Sequence, residues 1–391
     1  MIVKVLGKGT ILILIVLSVC MFFPSCSGIT VDKEIKVSQD DWVMSGGSPE
    51  QQHVSKYTLA PPLNLMWDYN IEGGVGPNGI TASDAVVFVN ALQGELFTFD
   101  VKTGGKIGNL KFLGKDCSTA PLIIGNDVIL TYAGDKNFSL ASYDISQGKI
   151  NWRKNYGDIQ TSPILKDGYI YFSGLNGYFY KVDKNTGAKI WKLNTKGQVH
   201  STCAIGDGIA VLGNDKGFII GVDINTGAEK WKVETGQPVI STLMIYGEHV
   251  YIGANDSNYY KIGLMDGAIS WKVNLHTKII GGAAIDINGN IITGCVDGSI
   301  YSLSNALGEV NWKTQTNGTI ISSPIISGNF IYVSSYDSYI YSLDVTTGKI
   351  LWSNLLENKV KTTPVIWKDY LFVAADEIVY CFTNKPIEKV N

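Results

Sequence analysis

After residue 30 the chain shows no helical 3.6-residue stripe of useful length; short runs of alternating apolar and polar residues are cut by turn residues every few positions. One stretch carries the pattern in full: Ser162-Pro163-Ile164-Leu165, the turn Lys166-Asp167-Gly168, then Tyr169-Ile170-Tyr171-Phe172. After Asn176-Gly177 follows Tyr178-Phe179-Tyr180-Lys181-Val182, and after Thr186-Gly187 follows Lys189-Ile190-Trp191-Lys192. Period-two runs of this length predict strands, and Gly, Asn and Asp between them tolerate the positive φ of tight hairpins, so the stretch predicts a four-stranded antiparallel meander.

The meander repeats. Trp152, Trp191, Trp231, Trp271, Trp312 and Trp352 are spaced 39, 40, 40, 41 and 40 residues apart. Turns of one form precede four of them: Asp144-Ile-Ser-Gln-Gly148, Asp183-Lys-Asn-Thr-Gly187, Asp223-Ile-Asn-Thr-Gly227 and Asp344-Val-Thr-Thr-Gly348, with degenerate forms before Trp271 and Trp312. Four strands recurring at this period predict the blades of a β-propeller. Trp67 occupies the same slot in Asn64-Leu-Met-Trp67, and the turn Asp100-Val-Lys-Thr-Gly104 leads to a degenerate slot at Gly108, which brings the total to eight. Only three strands follow Trp352 (Thr363–Ile366, Tyr370–Ala374, Ile378–Phe382), so the Trp67 strand is expected to complete the last blade and close an all-β, eight-bladed ring without free edges. Inner strands should begin at small triplets such as Thr161-Ser162-Pro163, Gly281-Gly282-Ala283 and Thr362-Thr363-Pro364, because blades converge there. The tryptophans should wedge between blades on the outer strands, burying roughly 150–250 Å² each.

The N-terminus changes the picture of where the ring resides. Lys4 and Lys8 precede the apolar run Thr10–Val19, which ends at Pro24-Ser25-Cys26-Ser27-Gly28, the layout of an export signal too short for a membrane span. Small residues around Cys26 resemble a bacterial lipobox, although Phe23 and Pro24 depart from it, and an ordinary signal-peptidase cut nearby is the other reading. The expected organisation is a signal over 1–26 with Cys26 lipidated, a linker or lead-in over 27–62 that is flexible to about Asp40, the propeller over 63–384 and a tail over 385–391. Ser27 after the cysteine resembles the outer-membrane sorting signal of Gram-negative hosts, with the ring facing the periplasm. The net charge of −3 supplies no basic field for nucleic acid, and a monomer is expected. Cys117, Cys203, Cys295 and Cys381 fall on different blades and are expected to be buried and mostly unpaired; no Cys/His cluster suggests zinc.

The Asp-x-x-Thr-Gly-x-x-x-Trp unit over residues 67–383 resembles the PQQ-like propeller repeat, and Asp41-Trp42-Val-Met-Ser-Gly46-Gly47 resembles the sequence that precedes the first blade in many members. The family has an enzymatic branch, the quinoprotein dehydrogenases, and a non-catalytic branch of lipoproteins similar to BamB of the outer-membrane β-barrel assembly machine. The first branch implies adjacent cysteines over the quinone, a calcium site, a catalytic aspartate and basic groups for the cofactor carboxylates. This chain has no adjacent cysteines, and its one arginine, Arg153, follows Trp152 on an outer strand. The resemblance therefore implies a non-catalytic envelope scaffold that takes no cofactor or metal and holds a protein partner, the barrel-assembly machine being the leading candidate. The alternative is a propeller that binds a small ligand or glycan at its axial funnel. Asp286-Ile-Asn288-Gly-Asn290 reads as a hairpin turn and not a calcium loop, and His200 with Ser201 and Asp207 as composition and not a triad.

Overall fold

The computed structural model describes residues 28–111 and 116–386. These residues form seven four-stranded sheets and one of five strands, arranged as eight antiparallel blades. The first blade runs Val75–Ser83, Val86–Ala91, Glu95–Asp100, Lys106–Lys111, and its successors repeat the order from inner to outer strand. The eighth consists of Val365–Trp367, Tyr370–Ala375 and Ile378–Thr383, with Asn64–Asn70 added antiparallel to the last. The Trp67 strand thus closes the ring as the sequence predicts.

The repeated motif works as a single device. In the third blade, Asp183 Oδ1 accepts hydrogen bonds from the amides of Asn185 and Thr186 at 3.1 and 2.9 Å and from Thr186 Oγ1 at 2.8 Å. Thr186 Oγ1 in turn accepts from the Ala188 amide. These bonds, led by the threonine hydroxyl, hold the Asp183 carboxyl below its ordinary pKa. Gly187 then takes φ +63°, and a Cβ there would lie 2.6 Å from the Trp152 ring of the preceding blade. Glycine is required on both counts. In all eight blades the pairing of third and outer strands shifts register beside the tryptophan slot, a bulge that turns the ring toward the next blade. The indole N–H of Trp67, Trp191, Trp231, Trp271 and Trp312 donates to the carbonyl of Val101, Ile224, Leu264, Asn305 and Val345 in the following blade, at 2.8 to 3.1 Å.

The lead-in departs from expectation. From Gly28 onward it is not a free tether: Ile29, Val31 and Ile35 are buried in a cluster with first- and second-blade residues. The chain enters at the outer rim between those blades, with Ile35 N–H on Asn126 Oδ1, and runs inward. Residues 41–59 then cross the ring axis. Carbonyls of Val43, Pro49, Glu50 and His53 accept the amides of Ile123, Ile205, Ile245 and Ile326, and Val54–Ser55 pairs parallel to the seventh blade's inner strand. This crossing segment plugs one face of the ring. It packs because its apolar and backbone groups find partners on at least five blades, which offsets the entropy of ordering it. Cys26 and the export signal lie outside the described residues.

Asp41 clasps the seam. Trp367 Nε1 of the eighth blade donates to Asp41 Oδ1 at 2.6 Å, and Ser83 Oγ of the first blade donates to Oδ2 at 2.9 Å. Gly47 is fixed beneath Trp42, whose ring a Cβ would meet at 2.8 Å. His53 is fully buried, and its desolvated imidazole has a pKa pushed down to about 4.

Candidate binding site at the ring axis

With one face plugged, the axial funnel of the described residues opens toward the hairpins that join second and third strands, among them those at Asn176, Asp215 and Asp256. The small residues expected at the axis are there, and their hydroxyls do more than avoid collision. In five blades the first hydroxyl of the triplet braces its own blade: Thr161, Ser201, Ser241, Ser322 and Thr362 donate to carbonyls of the second strand at 2.6 to 3.1 Å. The next hydroxyl reaches across blades. Ser162 Oγ accepts the Ala120 amide, Thr202 Oγ1 that of Ser162, Ser323 Oγ that of Gly282 and Thr363 Oγ1 that of Ser323, all at 3.1 to 3.2 Å. Thr363 carries the hoop across the ring closure by donating its amide to Pro77 O and its hydroxyl to Asn78 Oδ1. Sequence reasoning saw the size of these residues and missed the hoop. The recurrence of a hydroxyl at both positions of the triplet was the available signal.

The cavity inside the hoop holds about 150 Å³, below the roughly 300–1,000 Å³ usual for small-molecule sites. Among the described residues its walls are Ser, Thr, Ile, Gly, Pro and the amides Asn78 and Gln160, with His200 at the mouth. The structure brings His200 to Asp215, Nδ1 to Oδ1 at 3.0 Å, and not to Asp207, which sits in a turn on the plugged side. Ser201 Oγ is engaged with Gly213 in both directions. No nucleophile–base–orienter chain results. Asp286 spends its carboxylate on its own turn, accepting from the amides of Asn288 and Asn290, so the hairpin reading holds.

The tricarboxylate quinone of the family's enzymatic branch does not fit these residues. Arg153 lies far from the axis, its guanidinium 4.6 Å from the Phe138 ring centroid. Among the described residues no lysine, arginine or carboxylate lines the cavity. The cysteines Cys117, Cys203, Cys295 and Cys381 are buried, unpaired and on separate blades, and burial pushes the Cys203 and Cys295 thiols up to about 12. Trp67, Trp152, Trp191, Trp231, Trp271, Trp312 and Trp352 all serve the packing between blades, with Gly104, Gly187, Gly227, Gly267, Gly308 and Gly348 stacked against six of them or their neighbours.

Comparison with known proteins agrees with the architecture. The crystal structure of BamB from Moraxella catarrhalis matches with a TM-score of 0.64 and 14% identity, over 82% of this chain and 100% of that one. A europium-containing methanol dehydrogenase matches with a TM-score of 0.77 and 10% identity, over 88% and 98%. The quinohemoprotein alcohol dehydrogenase from Comamonas testosteroni matches at 0.75 and 13%, over 90% and 82%. At such identities the likeness shows the fold alone. No curated protein matches the sequence. A family model described as outer membrane protein assembly factor BamB matches residues 75–193, 175–273 and 260–385, which together span nearly the whole ring. With its repeat, its closure and its blade packing all in agreement, the chain belongs to this family of PQQ-like propellers.

Proposed function

We propose that the protein is a non-catalytic, lipid-anchored scaffold of the cell envelope that holds a protein partner, with assembly of outer-membrane β-barrel proteins as the setting its family description suggests. One observation carries the reading. Where the fifth and sixth blades lose the Asp-x-x-Thr-Gly turn, they expose apolar side chains instead: Met265 is 57% and Leu307 68% accessible, with Ile287 at 89% on the adjoining hairpin. Ile269 and Val310 extend this surface along the outer strands. Exposed aliphatics on two adjacent blades of a rigid ring suit a protein partner, because the loops need little ordering on binding. The axial hydroxyls of Ser162, Thr202, Ser323 and Thr363, by contrast, are already engaged between blades.

The second reading, a small ligand at the funnel, rests on His200, Asp215 and Gln160 at its open mouth. Photocrosslinking in cells from 265, 287 and 307 on the plugged face and from 176, 215 and 256 on the open face separates the two. The scaffold reading expects an envelope protein captured from the first set. Capture of no protein from either set, together with saturable small-molecule binding that His200→Ala abolishes, would replace it with the ligand reading.

A further inference from the structure

The first blade lacks its tryptophan, and the lead-in fills the vacancy. Gly108 occupies the slot, and a Cβ on it would sit 3.3 Å from Ile29 Cα. Ile145 follows Asp144 as Val101 follows Asp100 and Val345 follows Asp344, so its carbonyl is the one that an indole at position 108 would reach. Val31 N–H donates to that carbonyl at 2.8 Å. Gly148, equivalent to the glycines that lie under tryptophans elsewhere, faces Thr30 and the carbonyl of Ile29. Ile29 itself is fully buried, with its amide and carbonyl both bonded to Tyr143 Oη at 3.1 and 3.0 Å. Three residues of backbone thus replace one side chain in the wedge between the first and second blades.

This docking has a consequence for orientation. Gly28 is held at the outer rim two residues after Cys26, a separation that spans at most ~7 Å. The rim there is also the basic one. The first blade's outer strand carries Lys106 and Lys111, the second's Lys149, Arg153 and Lys154, and the third's Lys189 and Lys192, none of them with an acidic residue in the strand. The fourth balances two lysines with two glutamates, the fifth and sixth carry one lysine each, the seventh has no charge and the eighth has Asp68.

We infer that the rim of the first and second blades is the membrane-facing edge of the ring, held against anionic lipid headgroups by the docked strap 28–35 and the basic outer strands. The inference rests on the lipid-anchor reading of Cys26. It sets the ring on edge, with the apolar surface of the fifth and sixth blades half a turn away and directed from the bilayer. A ring tethered by a slack linker would have no fixed edge; a strap bonded from its second described residue leaves almost no slack.

The test uses the full chain purified with its anchor and reconstituted in phosphatidylethanolamine–phosphatidylglycerol vesicles containing a headgroup quencher. An environment-sensitive fluorophore is placed through I107C or K154C on the proposed edge, or through S270C or N311C opposite; the native cysteines of the ring are buried and do not compete. Quenching should be several-fold stronger at 107 and 154. Gly108→Trp, which restores the ladder and evicts the strap, and Val31→Pro, which removes its N–H, should each erase that contrast while the protein stays on the vesicles, with trypsin then cutting at Lys33 or Lys36. Equal quenching at both edges in the parent overturns the inference and leaves the anchor intact, as does a contrast that survives release of the strap. A strap that stays docked in both variants overturns it too. If C26A leaves membrane association unchanged, the anchor reading falls and the inference with it.

Discussion

Removing Trp231 tests whether the tryptophan ladder holds the blades together. Its ring is 8% exposed, lies beneath Gly267 and beside Gly221, and its Nε1 donates to Leu264 O at 2.8 Å. Trp231→Ala forfeits roughly 150–250 Å² of aromatic burial, worth about 4–6 kcal/mol at ~25 cal/mol/Å². Collapse of the neighbours recovers part of this, so the expected loss is about 3–5 kcal/mol, the usual range for a large aromatic cut to alanine. Trp231→Phe keeps most of the ring and removes only the N–H. The buried Leu264 carbonyl then loses its indole partner, and the cost should be about 1–3 kcal/mol. Urea midpoints at constant slope measure both values. Hydrogen exchange localises them: the amides of Leu264 and Gly267, bonded to Glu248 O and Gly263 O, should exchange faster in the alanine variant, while those of the first blade do not. A Trp231→Ala loss under about 1 kcal/mol would refute the claim that these rings join the blades.

Three further outcomes follow from the plug, the thiols and the hoop. The folded-state pKa of His53 is depressed to about 4, so between that value and its ordinary 6.5 the unfolded chain binds a proton that the folded chain does not. Stability should therefore fall as pH drops through 6.5 and level off near 4, by roughly 3 kcal/mol in all, and His53→Gln should remove that part of the pH dependence in urea titrations between pH 4 and 8. Cys117, Cys203, Cys295 and Cys381 should resist an aromatic disulfide reagent at pH 8 in the folded protein and react fully in denaturant; rapid labelling of the folded ring would contradict their burial. Thr363→Val, isosteric but without the hydroxyl that joins Ser323 to Asn78, should cost about 1–3 kcal/mol and speed exchange of the Ser323 amide, whereas a neutral result would mean that the hoop contributes nothing at the seam.

What the sequence alone determined is whatever repeats. A 40-residue tryptophan period, an Asp-to-Gly turn and four alternating runs per period are local patterns, set by hairpin chemistry and side-chain alternation, so blade number, strand order and the closing role of the Trp67 strand could be read directly. The vacancy at Gly108 was legible in the same way. What fills it was not, because Ile29 meets Tyr143 across 114 residues and nothing near either residue announces the contact. The same holds for Asp41, which reaches Trp367 across 326 residues, and for the plug, which satisfies its backbone on blades spread around the whole ring. A non-repeating segment has no period to betray its partners. The tertiary structure decided where it lies, and with it which face of the ring is sealed and which edge carries the N-terminus, because only the closed ring offers the buried groups that make ordering such a segment favourable.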